Sequence, residues 1–359
     1  MRIGFDARMM THPGIGRYIG CLLREMIKQA GKDEFLLFGD PEHLQEFRDN
    51  ENVKLISWKA PVYSIKEQIT LPYNAEKIDL LHVPHFNIPV FYRGKMVVTT
   101  HDLIYLLFAG SAPSALAKYY ARFMIGTALK KAKGVIAVSK HTRDDLVKVF
   151  GSAYSDKIKV IYEAADKAFH QEDIAITDLV RRKYHLSDKV ILYAGSVKPH
   201  KNVATLLKVY KLLKKWGAPH QLVIVGKWDK KENYLKPMMA DENIRYLGEV
   251  PFEDLEALYC LSDVLVHLSL YEGFGLTVLE AMQCGTPVVV SEKTSLPEVA
   301  GEAALTVPPL NVEQIADSVF NVLVNSELRA GMIGAGLERA KQFSWERAAR
   351  ETLELYRSI

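Results

Sequence analysis

The segment Tyr271-Glu272-Gly273-Phe274-Gly275-Leu276-Thr277-Val278-Leu279-Glu280-Ala281-Met282 places two carboxylates around a pair of glycines. An apolar, strand-like run (263–269) leads into this turn, and a helical pattern leaves it, ended by Gly285 with Pro287 just beyond. The first N–H groups of such a helix, from about Phe274 to Thr277, lack intrahelical partners and form a ready anion site. Gly273 and Gly275 remove side chains, so a phosphate can approach the backbone closely. Glu272 lies before the helix, and Glu280 about one turn inside it. Two carboxylates flanking a phosphate cradle suit the hydroxyls on either side of a diphosphate, a sugar at one end and a ribose at the other.

Three further segments follow strand-like runs. Tyr193-Ala194-Gly195-Ser196-Val197-Lys198-Pro199-His200-Lys201-Asn202 precedes an amphipathic helix, with Asn202 as its expected N-cap and Lys201 as a cation for a diphosphate. Near the N-terminus, Gly14 and Gly16 open a helix after RIGFDAR. His101-Asp102 ends the run KMVVTT, where a histidine faces ligand chemistry and the neighbouring carboxylate is placed to orient the imidazole or an acceptor. His82, His85 and Asn87 in LHVPHFNIP are candidate acceptor-pocket residues. The histidine spacing matches no HExxH or Cys/His site, and no DxD pair lies in these loops, so no metal is expected.

These loops need a scaffold of alternating strands and helices. Strand-like runs occur at RIGFD, EFLLF, NVKLI, DLLHV, KMVVTT, GVIAV and KIKVI in the first half. KVILYAG, QLVIVG, DVLVHLS and PVVVS repeat the theme in the second. Helical stretches are expected near 15–29, 113–132, 140–149, 202–215, 253–261, 275–284 and 297–300. Such alternation means parallel sheets covered by helices on both faces, with ligands beyond the carboxyl ends of the strands. The 359 residues are expected to divide into an N-terminal domain (1–165) and a C-terminal domain (166–344). A last helix over 345–359, capped by Ser344, is expected to pack back on the first.

Charge and cysteine content narrow the setting. Residues 1–165 carry 23 Lys and Arg against 17 Asp and Glu, and residues 166–359 carry 23 against 26. Positions 103–143 contain seven basic residues and no acidic one, with Tyr119, Tyr120, Phe123 and Met124 among them. That stretch suits an anionic membrane surface. Cys21, Cys260 and Cys284 form neither a CxxC pair nor a disulfide framework, and the start lacks the pattern of a secretion signal. A cytoplasmic enzyme, peripheral on the inner membrane face, is expected. No nucleic-acid partner is expected.

With seven residues between Glu272 and Glu280, EGFGLTVLEAMQCGTPVV resembles the E-x7-E signature of retaining glycosyltransferases of family 4. The resemblance extends over nearly the whole chain. It implies an α/β GT-B fold, two Rossmann-like domains facing a cleft, with the nucleotide-sugar bound by the C-terminal domain. It further implies that His101 and Glu272 contact the transferred sugar, that Lys201 binds phosphate, and that Glu280 contacts the ribose. Gly14, Gly16, Ser196, Gly273, Phe274, Gly275 and Leu276 would complete the donor site. Acceptor contacts fall to His85, Asn87 and Asp102. One departure is Ser196, where many members carry an arginine; Lys198 or His200 is the candidate replacement charge.

The implied reaction moves a hexose, with mannose from GDP-mannose as the first expectation, onto a glycan or lipid-linked acceptor of surface polysaccharide assembly. It proceeds with retention and needs neither metal nor cofactor. The competing readings are a sugar-nucleotide epimerase of the same fold and a non-catalytic nucleotide-sugar or membrane binder. A nicotinamide-dependent dehydrogenase fails on spacing, because Ile19 stands where the third glycine of G-x-G-x-x-G belongs.

Overall fold

A computed structural model describes residues 1–70, 72 and 76–359 and contains two compact units. Unit 1 comprises Met1–Glu163 and Ser344–Ile359, and unit 2 comprises Ala164–Phe343. The boundary falls two residues before the expected one, which leaves Glu163 with the first unit.

Unit 1 runs β1 (Arg2–Asp6), α1 (Ile15–Gln29), β2 (Glu34–Gly39), β3 (Val53–Ser57), α2 (Ile65–Ile69), β4 (Leu80–Val83) and β5 (Met96–Thr100). It continues through α3 (Ile104–Leu107), α4 (Ala115–Lys131), β6 (Gly134–Ala137), α5 (Lys140–Phe150) and β7 (Ile158–Val160). Its sheet is parallel, in the order β3-β2-β1-β4-β5-β6-β7. The chain winds outward from β1 to β3, then returns to the other side of β1 as β4. That reversal makes the carboxyl ends of β1 and β4 the natural place for a ligand.

Unit 2 runs α6 (Ile174–Lys183), β8 (Val190–Ala194), α7 (Val203–Lys215), β9 (Gln221–Val225), β10 (Ile244–Gly248), α8 (Phe252–Cys260) and β11 (Val264–His267). It continues through α9 (Leu276–Gln283), β12 (Val288–Ser291), α10 (Leu296–Ala300), β13 (Leu305–Val307), α11 (Val312–Val324) and α12 (Ser326–Ala340). Its parallel order is β10-β9-β8-β11-β12-β13, with the reversal between β8 and β11. The Lys201 and Glu272 loops follow those two central strands. β8 and β11 are buried on both faces, as their continuous apolar runs require.

The last helix, α13 (Trp345–Ser358), belongs to unit 1 and lies against α1. Ser344 caps it by accepting from Arg347 N. Tyr356 reaches His82, 2.5 Å from its Nδ1, while His82 Nε2 meets Thr99 Oγ1 at 2.8 Å. Thr99 in turn meets Tyr18 of α1 at 2.9 Å. This buried chain corrects the acceptor-pocket expectation for His82, which is a core residue tying α13 to β4 and β5. Burial pushes its imidazole down to about 3, so it stays neutral.

Helix α4 needs a second correction. Its inner face, including Met124, is buried, and Tyr120 donates to Asn87. The exposed apolar residues are Leu116 (78%), Tyr119 (72%) and Phe123 (60%), so Tyr120 and Met124 are not part of the outer face. No helix among the described residues is long and apolar enough to cross a membrane.

Candidate functional site

Glu272 sits where β11 gives way to α9. Its Oε1 accepts from Lys201 Nζ at 2.5 Å, from Ser269 Oγ at 2.7 Å and from His267 Nε2 at 2.8 Å. Three donors on one oxygen fix the carboxylate, and none of these bonds uses its other oxygen. Burial alone would raise this carboxyl, but the Lys201 charge and the His267 hydrogen bond hold it well below the usual carboxylate range. His267 is buried in the last position of β11 and stacks on Tyr193 of β8, with ring centroids 6.3 Å apart. Sequence reading missed it. The available signal was a histidine inside the apolar run DVLVHLS, five positions before Glu272.

The backbone of the turn is held from behind. Glu272 N donates to Thr294 Oγ1, and Ser295 Oγ donates to the carbonyl oxygens of Glu272 and Phe274. Thr294 adopts φ 59°, costly for a β-branched residue, and the turn it secures is the site itself. Gly275, at the N-cap of α9, has φ 118°, and a Cβ there would lie 2.9 Å from Leu296. No side chain caps α9, and since Val278 N closes on Gly275 O, the amides left for an anion are those of Leu276 and Thr277. Glu280 lies on the inner side of α9, buried, where Tyr259 Oη donates to it at 2.8 Å.

Lys201 ends a single 3-10 turn, Pro199–Lys201, after β8. Asn202 occupies the N-cap position of α7 but does not cap through its side chain, contrary to expectation. Its φ of 58° turns the amide inward, where Nδ2 donates to Leu268 O and Pro309 O. Asn202 thereby locks the Lys201 loop to the chain leaving β11. Ser196 holds Tyr193 through its carbonyl oxygen. Burial, with Lys201 beside it, pushes the His200 imidazole down to about 4, so His200 cannot supply the missing arginine charge at neutral pH. Lys198 is exposed and remains the candidate.

In unit 1, His101 follows β5. Its Nδ1 lies 2.9 Å from Glu163 Oε1 and its Nε2 lies 3.0 Å from Pro84 O. Both partners only accept, so the arrangement calls for a proton on each nitrogen. Burial opposes that charge, yet Glu163, the Pro84 carbonyl and Asp102 together raise the imidazole above its ordinary value. Orientation of the ring therefore falls to Glu163, whereas Asp102 accepts from Ile104 N at the start of α3.

Asn87 is buried, and its amide is spent internally. Nδ2 donates to Glu67 Oε1 at 2.5 Å, and Oδ1 accepts from Tyr120. A direct acceptor contact from Asn87 is thus replaced by a supporting role. His85 packs on Phe86 and beside Tyr63, with its imidazole pushed down to about 3 by burial. Glu67 is also bound by Arg8 at 2.9 Å, and Arg8 pairs with Asp6 at 2.6 Å while stacking 3.5 Å over Trp58.

The two N-terminal glycines differ in kind. Gly14 has φ 79° and open space around it, whereas a Cβ on Gly16 would lie 2.1 Å from Met10 O. Gly16 is required by the close approach of α1 to the loop before it. Among the described residues, the one grouping of at least three metal-ligating side chains is His170, Glu172 and Glu256, which includes none of His82, His85 and His101.

Comparison with known proteins agrees with this scaffold. Residues 178–339 match the family model "Glycosyl transferases group 1", and residues 14–169 match "Glycosyltransferase Family 4". O-antigen chain mannosyltransferase B of Escherichia coli is 30% identical, with both chains covered completely. O-antigen chain mannosyltransferase RfbU of Salmonella typhimurium is 28% identical over 78% of this chain and 77% of its own. Among solved structures, the Anabaena protein HepE in complex with UDP and glucose superposes with a TM-score of 0.79 over 100% of both chains, at 18% identity. WaaG, a glycosyltransferase involved in lipopolysaccharide biosynthesis, gives 0.74 over 98% of both, at 15% identity. The fold is GT-B. The chain belongs to glycosyltransferase family 4, and its activity is the transfer of a glycosyl unit.

Proposed function

We propose that the enzyme transfers a hexosyl unit from a nucleotide-diphosphate sugar, with retention of configuration, to a glycan or lipid-linked acceptor in surface polysaccharide assembly. The observation that carries this reading is the single saturated oxygen of Glu272. Three donors immobilise the carboxylate beside the uncapped start of α9, so one oxygen is presented to a sugar hydroxyl while the amides meet the diphosphate. Departure of the nucleoside diphosphate builds negative charge on its phosphate oxygens, which the α9 amides and Lys201 stabilise. Glu280, oriented by Tyr259, serves the ribose. Gly14 lets the α1 start come close to the donor. His101 contacts the transferred sugar by exchanging the Pro84 carbonyl for a sugar hydroxyl at Nε2 while Glu163 keeps Nδ1, and His85 and Asp102 line the acceptor side.

As the C1–O bond to phosphate breaks, the acceptor oxygen bonds to C1 on the same face and passes its proton to the leaving phosphate oxygen. Charge neutralisation is assigned to protein groups rather than to a metal ion. GDP-mannose is the first donor to test, because the relatives named above are mannosyltransferases. UDP-sugars come next, given the UDP in HepE. The test is acceptor-dependent release of nucleoside diphosphate, with the product's anomeric configuration read by NMR. Sugar-nucleotide turnover without any acceptor would instead mark an epimerase, and binding without release a non-catalytic protein.

The His101–Glu163 pair makes the pH dependence specific. A raised imidazole pKa means the charged form, and the stability it contributes, is complete below the ordinary histidine value near 6.5 and lost as pH rises through the raised one. Transfer is expected to decline across that same rise. In Glu163→Gln the decline should move to lower pH by roughly 1–3 units, the effect of removing a contacting opposite charge. A profile unchanged in shape would mean that Glu163 only supports the fold.

Location at the cytoplasmic face of a membrane is part of the proposal. Leu116, Tyr119 and Phe123 recur on the outer face of α4, with Lys118 and Arg122 between them. A surface helix normally presents polar residues outward, so this apolar, basic face suits an anionic bilayer. The protein should co-sediment with vesicles containing anionic lipid at low salt, and Tyr119→Ser with Phe123→Ser should weaken this without changing transfer to a water-soluble acceptor.

A further inference from the structure

Beside the loop that leaves β4, Tyr63 holds a backbone conformation that an aromatic residue rarely adopts. Its φ is 65°, in the left-handed region that favours glycine and asparagine. Glu67 secures it: Oε1 accepts from Tyr63 N at 3.1 Å, and Oε2 is fixed by Arg8 at 2.9 Å. Tyr63 directly precedes Ser64, the N-cap of α2. A residue there ordinarily packs on the fourth residue of its own helix. That position is Gln68, whose amide is spent on Ile88 O and Val90 N. The Tyr63 ring turns instead toward His85, Phe86 and Tyr120, with centroids 5.7, 6.3 and 6.3 Å away, and the residue stays 50% exposed. Strain kept for an exposed aromatic side chain points to a use outside the packing of the fold.

The hydrogen bonds of the cluster have a direction. His85 Nδ1 accepts from Asn87 N at 3.3 Å, which assigns the proton of the neutral ring to Nε2. Burial pushes this imidazole down to about 3, so the ring is neutral. Nε2 lies 3.3 Å from Tyr63 Oη, so His85 donates and the phenol oxygen accepts. Nδ1, 3.5 Å from the same oxygen, is already occupied by Asn87 N. The proton of the Tyr63 hydroxyl is left to a further acceptor, and no other described residue takes it. Burial, then the neighbouring Tyr105, Tyr120, Glu67 and Asp102, raise this phenol, so the proton is retained. Tyr105, half-buried in α3, also places its hydroxyl on no described residue, whereas Tyr120 donates to Asn87. An exposed ring, two O–H donors and the Asp102 carboxylate thus gather where β4 and β5 end, next to the reversal at β1.

We propose that Tyr63 is a specificity-determining residue of the acceptor site, its ring stacking on a pyranose of the acceptor and its hydroxyl donating to that sugar. A pyranose offers an apolar C–H face and a rim of hydroxyls. A tyrosine ring with a donor hydroxyl, set among a few polar groups, complements both. Tyr105 and Asp102 meet the remaining hydroxyls from the chain after β5. The acceptor selected here ends in a sugar ring; a bare lipid phosphate has neither the C–H face nor the hydroxyl rim. This deepens the proposed function and rests on its placement of the acceptor beside His85 and Asp102.

The test is saturation-transfer NMR of the full-length protein with the methyl pyranosides of mannose, glucose, galactose and N-acetylglucosamine, set beside acceptor kinetics. At least one pyranoside should bind the wild type. Binding should weaken about 3–10-fold in Tyr63→Phe, the worth of one neutral hydrogen bond, and roughly 10–100-fold in Tyr63→Asn, which also loses the ring. Asparagine accepts the left-handed backbone, so Tyr63→Asn should keep the wild-type unfolding midpoint. The same graded losses should appear in the KM for a glycan acceptor, with GDP and UDP affinity unchanged. Tyr63-dependent pyranoside binding by a protein that transfers to no glycan would sink the polysaccharide-assembly reading and leave this contact standing. Pyranoside binding absent from the wild type, or equal in all three proteins, overturns the proposal, as does a wild-type acceptor KM in both variants. A loss confined to Tyr63→Asn and accompanied by a lower midpoint marks a structural tyrosine and overturns it too.

Discussion

Glu272→Ala should abolish transfer and at the same time tighten binding of the free nucleoside diphosphate. The opposite signs follow from one contact. Lys201 Nζ donates to Glu272 Oε1 at 2.5 Å, so the carboxylate competes with phosphate for the ammonium. Removing it frees Lys201 for the diphosphate and removes the acceptor proposed for the sugar hydroxyl. Lys201→Ala should weaken nucleoside diphosphate binding and cost transfer on the order of 10²–10³, as for loss of one preorganised donor to a developing anion. His267→Gln keeps a hydrogen-bond donor near Glu272 but loses the stack on Tyr193. Its effect should fall on sugar donor turnover more than on nucleoside diphosphate affinity. Thermal-shift titrations with GDP and UDP, set beside turnover of the corresponding sugars, read both quantities. Equal losses of nucleotide affinity in Glu272→Ala and Lys201→Ala would contradict the division of roles.

The scaffold around this site was largely legible because parallel strands buried on both faces are written as short apolar runs. β1, β2, β4, β5, β6, β8, β9, β11 and β12 all carry that mark. β10 and β13 escaped notice for a physical reason. Both are sheet edges; β10 interleaves Arg245 and Tyr246 with its apolar residues, and β13 has only three residues. The glycine-rich turn and Lys201 could be read locally, since a helix start and its preceding loop lie within a few positions. Glu163 could not: it reaches His101 across 62 positions, and nothing in IYEAADK distinguishes it from a solvated glutamate. Asn202 illustrates the converse. Its residue type fits a cap, but the left-handed backbone turns the amide toward strand ends that only the folded sheet brings near.

Arg8 is the residue whose loss should cost the most stability in unit 1. Its guanidinium donates Nε and Nη2 to the two oxygens of Asp6 and Nη1 to Glu67, with all three side chains almost completely buried. Glu67 in turn accepts from Tyr63 N and Asn87 Nδ2, so one cation joins the carboxyl end of β1 to the chain around α2 and to the loop after β4. Arg8→Ala leaves two buried carboxylates without their counter-charge, which typically costs about 3–5 kcal/mol. Arg8→Lys retains the charge but gives up the two-pronged grip on Asp6 and the stack on Trp58, and should fall between the two. Denaturant unfolding of the three proteins measures the series. Replacing Arg8, Asp6 and Glu67 together by Met, Asn and Gln should recover much of the loss, since a buried ionic set removed whole leaves no orphaned charge. Because His85 and Asn87 stand on the loop this network holds, Arg8→Ala should also raise the KM for acceptor while leaving unchanged the nucleoside diphosphate affinity proposed for Lys201 and the α9 amides. An Arg8→Ala protein within 1 kcal/mol of wild type would mean that water reaches the two carboxylates.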